Sequence, residues 1–143
     1  SRGLGDVYKR QVFDFMNKIL VEISVGELLD KISILEIKQV KIDDAEKLKY
    51  ISNEHSILKD QFKKNVKSDD TINNLFNSLK EINNKLWSIE DNKRNCEKEK
   101  KFGEQFIKLS RDIHFYNDER AKIKLKINEY TGSKIKEIKQ YTK

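Results

Sequence analysis

Two heptad seams lie end to end in this chain. The first runs Ile72, Leu75, Leu79, Ile82, Leu86, Ile89, Lys93, Cys96, in alternating steps of three and four residues. The second runs Phe102, Phe106, Leu109, Ile113, Tyr116, Arg120, Ile123, Ile127, Tyr130, with the same alternation. Only a period near 3.5 residues keeps such a line on one stripe, so each seam requires a long helix. Phe102-Gly103 is the break between them. Two long helices joined by so short a break fold back on each other. The sequence therefore predicts an all-α protein built on an antiparallel helical hairpin over about 70–100 and 104–131. One or two N-terminal helices pack on it, in a bundle or coiled-coil-like arrangement. This architecture argues against a cleft-bearing α/β enzyme.

Composition agrees. Charged residues make up 38 % of the 143 residues and hydrophobic ones 36 %, with no proline and five glycines, a pattern of long exposed helices in one domain. The apolar positions are too periodic for a disordered chain. The net charge of +6 comes from interspersed signs, as on a solvated helix face, and permits an anionic partner without requiring one. Cys96 is the only cysteine, so no intramolecular disulfide is possible and a reducing cytosol fits. No apolar run approaches the roughly 20 residues of a membrane span, and residues 19–23 are too short for the apolar part of a secretory signal. These readings place the protein in the cytoplasm.

Residues 1–15 differ from the rest and resemble a translated sequencing-adapter read-through, which makes Met16 the expected natural start. A single helical domain is expected over 16–132, followed by a basic, loosely held tail over 133–143. Ser24-Val-Gly-Glu27 reads as a capping box, the serine hydroxyl taking an orphan amide and the glutamate reaching back. The helix it opens runs to about Ile42, with Ile34 and Ile37 off its main apolar line, so more than one side is covered. Asp43-Asp44 can start a second helix, although a continuous helix through them remains open. Ser68-Asp69-Asp70 is a clearer restart, and Gly132 suits the left-handed position after the last helix.

Three polar groups are candidates for chemistry. Trp87, Glu90, Asp91 and Arg94 share one face of the third helix by their spacing. They read either as an aromatic layer level with Phe115 plus a Glu90–Arg94 surface pair, or as the wall of a ligand site. Asn117, Arg120, Lys124 and Asn128 form a line on the fourth helix. Arg120 lies on the seam itself and must be paired or reach solvent, since an unpaired buried charge is costly. Glu81 and Asp118 are its candidate partners; the other reading is an anion-binding guanidinium helped by Lys124. Asp30 and Lys31 on the first helix matter only if that helix meets the other two lines. In a hairpin closing near residue 101, the first two groups come within roughly 15 Å along the axis and border one groove. Asp30 and Lys31 would then close it.

No metal site is expected, because His55 and His114 complete no Glu-x-x-His motif and no Cys/His cluster exists. No cofactor is expected either, since there is no glycine-rich phosphate loop. His55 reads as a partly buried structural histidine. Residues 120–143 carry eight Lys or Arg, which could meet phosphates or could complement a helix C-terminus.

Four strings carry a family resemblance: Glu22-Ile-Ser-Val-Gly-Glu-Leu-Leu-Asp-Lys-Ile-Ser-Ile-Leu-Glu-Ile-Lys38, then Leu86-Trp-Ser-Ile-Glu-Asp91 with Arg94, then Asn117-Asp-Glu-Arg-Ala-Lys122, and Ile127-Asn with Gly132-Ser133. Over roughly residues 16–141 the chain resembles a bacterial domain-of-unknown-function family, number sixty-one sixty-five. The resemblance implies a small helical protein with no established activity, from a family with members sometimes encoded among surface-polysaccharide genes. It implies no catalytic residues. The expectation that follows is a non-enzymatic cytoplasmic binding or scaffold protein, partnered by itself or by another helical protein. The alternatives are a small all-α enzyme or sensor, in which Lys31, Arg94, Arg120 and Lys124 converge on an anionic metabolite, and a weak nucleic-acid binder acting through the tail.

Overall fold

Among the described residues the chain forms four long helices, three of them opened by a side-chain cap. In the computed structural model, which describes residues 17–140 together with Gly3 and Gly5, these are α1 (Val25–Lys41), α2 (Ala45–Asn65), α3 (Asp70–Lys98) and α4 (Glu104–Thr131). The readings of 1–15 as a leader and of Met16 as the start fall outside the described residues, the two glycines aside. Ser24 Oγ accepts from the Glu27 amide at 3.0 Å, so half of the expected capping box forms. The other half does not: the Glu27 carboxylate turns to Lys124 Nζ at 2.6 Å. Asn128 and Ser133 satisfy further amides of this helix end, with Gly26 N–H donating to Asn128 Oδ1 at 2.7 Å and Val25 N–H to Ser133 Oγ at 3.4 Å.

Asp44 Oδ1 accepts from the Lys47 amide at 3.0 Å, and α1 and α2 are separate helices. Asp69 Oδ1 caps α3 by accepting from the Ile72 amide at 2.9 Å. The turn into α4 uses Lys100 in a left-handed conformation (φ 56°). Gly132 (φ 69°) closes α4 as expected.

The seams of α3 and α4 face each other in the predicted antiparallel hairpin, α1 packs against both, and α2 packs on α1. Leu28, Leu29, Ile32, Phe62, Ile72, Leu79 and Ile127 form the main core where α1, α3 and α4 meet, with Phe62 reaching in from α2. Each such side chain contributes about 1.5–3 kcal/mol on burial. A second cluster, Ile89, Cys96 and Leu109 with Phe106, Ile113 and Tyr116, belongs to the hairpin alone. Among the described residues the outer half of the hairpin is thus built from two helices, and its seam frays: Phe102 is 52 % exposed.

Gly26 decides how closely α1 can approach α4. A Cβ there would lie 2.6 Å from the Lys124 carbonyl oxygen and 2.9 Å from Asn128 Oδ1. Backbone meets backbone at this point, which only glycine permits.

Candidate functional site

The acid in the middle of α1 organises the polar interior. Asp30 lies between Leu29 and Ile32 on a buried stripe and is 1 % exposed. A bare carboxylate could not remain charged there. Arg120 holds it with two hydrogen bonds, Nε to Oδ1 at 2.9 Å and Nη2 to Oδ2. Asn83 Nδ2 donates to Asp30 Oδ1 at 2.9 Å and to Ser33 Oγ at 2.8 Å, and Ser33 Oγ–H donates to the Asp30 carbonyl at 2.7 Å. Burial pushes the Asp30 carboxyl up, but the hydrogen bonds from Arg120 and Asn83 and the charges of Arg120 and Lys124 outweigh it and hold it below the usual range. The hydrogen bond to Asp30 likewise raises Arg120.

Lys124 Nζ stands 3.8 Å from Asp30 Oδ2 and binds Glu27 Oε2 at 2.6 Å and Glu137 Oε2 at 3.0 Å. The tail over residues 133–140 is therefore tied back to α4 through Glu137 and is not simply loose. Among the described residues no buried side-chain nitrogen or oxygen lacks a hydrogen-bond partner.

Beside this network a groove of about 560 Å³ opens between α1, α3 and α4. Ile34 and Ile37 come from α1; Asn83, Leu86, Trp87, Glu90, Asp91 and Arg94 from α3; Asn117 and Arg120 from α4. Apolar side chains and the half-buried indole border it together with charged groups. A more open furrow of about 680 Å³ involves the other side of the hairpin. Several of its charges are paired within the fold: Lys80 with Glu36 at 3.0 Å, Lys85 with Glu81 at 3.7 Å, Lys108 with Asp112 at 2.6 Å. Around the groove the opposite holds. Glu90, Asp91 and Arg94 are exposed, and among the described residues none has an ion-pair partner.

A family model described as "Family of unknown function (DUF6165)" matches residues 19–143. The chain belongs to the DUF6165 family. No curated protein and no solved structure gives a significant match. The motif strings that carried the resemblance supply both the polar interior and the groove edge of this DUF6165 fold. The first supplies Ser24, Gly26, Asp30 and Ser33, and the later ones Trp87, Arg120 and Asn128.

The DUF6165 fold brings Trp87, Glu90, Asp91, Arg94, Asn117 and Arg120 to one groove. The other candidates lie elsewhere, Asn128 at the Gly26 contact among them. Asp30 is behind the groove, locked to Arg120. Lys31 is exposed and pairs with Glu27 at 3.6 Å. Lys124 is turned to Glu27 and Glu137, and Asp118 borders a separate pocket of about 330 Å³ under the tail. Helix α1 closes the groove, but with Ile34 and Ile37 rather than Asp30 and Lys31. The four cations Lys31, Arg94, Arg120 and Lys124 do not converge.

Three local expectations need correction. Arg120 pairs with Asp30 from α1 and with neither Glu81 nor Asp118, because α1 presents its buried acid to the seam while Glu81 stays outside with Lys85. Glu90 and Arg94 form no pair despite their spacing; both extend into solvent at the groove edge. Trp87 joins no aromatic layer with Phe115, which is one residue off the seam, 52 % exposed, and stacked with His114 instead.

His55 is a structural partner, its Nε2 3.0 Å from Glu36 Oε2. Sequence reasoning passed over Asn83, and it gave Ser33 and Gly26 no role beyond their place in the first motif string. Asn83 and Ser33 are small polar residues at buried helix positions, and Gly26 lies in the first turn of a helix. Among the described residues no group of three or more His, Cys, Asp or Glu is placed to hold a metal, and no helix is long and apolar enough to cross a membrane.

Proposed function

We propose that this DUF6165 protein is a non-enzymatic binding protein and that the groove bordered by Trp87 is its binding site. One observation carries the reading: the buried charges are matched internally, while Glu90, Asp91 and Arg94 stand without partners around a half-buried tryptophan on an apolar wall. The groove volume lies in the range of small-ligand sites, about 300–1,000 Å³. A mutase-like cationic clamp is disfavoured. It needs free cations aimed at the reacting anion, whereas Arg120 and Lys124 already hold Asp30, Glu27 and Glu137. The lone Cys96, free and buried, fits a place in the cytosol. A place beside surface-polysaccharide genes, which the family resemblance implies, is compatible with a binding role and adds no residue to it.

Trp87 is the only tryptophan, so intrinsic fluorescence reports the groove directly. Titrating the full chain with a panel of small cations, anions, zwitterions and neutral sugars should give a saturable emission change with at least one class. Replacing Arg94 or Asp91 by alanine should weaken it. A flat response across all four classes would remove the groove as a small-molecule site.

A scaffold role through self-association has its own observation. Phe102, Ile107 and Phe115 on the outer hairpin are 52 %, 55 % and 52 % exposed, and among the described residues no other helix packs into that half's apolar cluster. A second copy or another helical protein is the matching partner. Light scattering across a concentration series tests self-association, and a constant monomer mass would end that branch. Nucleic-acid binding through the tail has the least support, since Glu137 binds Lys124 there.

A further inference from the structure

We infer that the groove takes a zwitterion with a methylated ammonium head and a carboxylate or similar anionic end, rather than a simple anion. The inference rests on the binding reading above and names the ligand class of that same site.

Charge decides the first half. Four charged side chains border the groove: Glu90, Asp91, Arg94 and Arg120. Arg120 is neutralised by the buried Asp30, which holds two of its guanidinium nitrogens. Two carboxylates and one guanidinium remain, a local excess of one negative charge. A bare anion would meet two repelling groups for one attracting group. A cation finds the reverse, and a zwitterion can satisfy both signs.

The aromatic side chain decides the second half. Glu90 and Asp91 follow Trp87 by three and four residues, so all three side chains share one face of α3. An indole face with carboxylates beside it suits an ammonium, through the ring quadrupole and the added charge. Ile34, Ile37 and Leu86 border the same groove, and they favour a head clothed in methyl groups over a strongly hydrated primary amine.

The anionic end has its own partner. Arg94 lies one turn beyond Glu90 and two turns beyond Trp87, about 6 and 10 Å along the helix. Arg94 borders the groove without an ion-pair partner among the described residues and can bind a carboxylate several ångströms from the ammonium.

The test is NMR of the full chain, nitrogen-labelled, following the single Trp87 indole N–H signal. The probes are γ-trimethylammonio-butyrate, tetramethylammonium, butyrate, inorganic phosphate and glucose. The zwitterion should shift the indole signal saturably, tetramethylammonium more weakly, and the other three not at all. Glu90→Gln with Asp91→Asn should weaken both ammonium probes by about tenfold or more. Arg94→Gln should weaken the zwitterion and leave tetramethylammonium unchanged. These rim positions are exposed, and a circular dichroism spectrum confirms that each variant folds. Saturable shifts by butyrate, phosphate or glucose with none by the ammonium probes would overturn the ligand class and leave the groove as a binding site. Silence from every probe would overturn both.

Discussion

Replacing Asp30 by asparagine should unfold this protein more readily than any surface change. The new side chain keeps the shape and loses the charge. It leaves the Arg120 guanidinium facing an amide, and it turns one oxygen into an NH2 group that confronts donors either way: Arg120 Nε and Asn83 Nδ2 at the Oδ1 position, or Arg120 Nη2 at the Oδ2 position. Removing one partner of a buried pair costs about 3–5 kcal/mol. Arg120 keeps a side-chain exposure of 29 %, so part of its charge can be rehydrated and the lower figure applies, about 3 kcal/mol. For a chain of this length the unfolding entropy converts that to a fall in Tm of about 10 °C.

The assay is thermal and urea unfolding of four proteins: the parent, Asp30→Asn, Arg120→Met and the double variant. Arg120→Met alone should be at least as damaging, because it strands the fully buried carboxylate. The double variant should be less destabilised than the sum of the two, with a coupling of about 2 kcal/mol. Additive losses, or an Asp30→Asn variant within about 0.5 kcal/mol of the parent, would refute the idea that this pair holds α1 to the hairpin.

Three further outcomes follow. Gly26→Ala should lose about 2 kcal/mol by denaturant unfolding despite alanine's better helix propensity, because its Cβ would lie 2.6 Å from the Lys124 carbonyl; unchanged stability would show that α1 and α4 are not in backbone contact. Glu36 and Asp30 are held below their ordinary 4.5 and 3.8, so their stabilisation is complete above those values and is lost as the pH falls through the folded-state values; an acid titration should show stability dropping below pH 4.5 and further below 3.8, and a flat profile down to pH 3 would contradict the assignment. Phe115→Lys should leave the far-ultraviolet spectrum unchanged and weaken any self-association seen by light scattering, and an equally strong dimer after the change would take that face out of the interface.

What was legible in the sequence was whatever rests on local period or single-residue chemistry. The seams gave α3 and α4 because a stripe at 3.5 residues has no other solution, and Asp44, Asp69 and Gly132 sit where their side chains or backbone preference fix helix ends. Hairpin arithmetic brings Trp87 and Arg120 near each other along the axis, but it did not show that Lys124 turns away or that Ile34 and Ile37 of α1 line the groove. Nor did it give Arg120's partner, because that arithmetic relates only the two hairpin helices and the acid arrives from a third.

The signal was nonetheless present in two halves. Asp30 is an acid on an apolar stripe, and Arg120 is a cation on a seam; each demands an opposite charge from another element, and no other acid of α1 lies on its buried face. Gly26, one turn before Asp30, marks where α1 comes closest to α4, and Asn128 is set two turns beyond Arg120 to meet it. The proposed binding role draws on the same pairing. Because the interior charges hold the fold together, they are not available to a ligand. The chemistry left for one is the exposed set on α3, Glu90, Asp91 and Arg94, gathered around the single tryptophan.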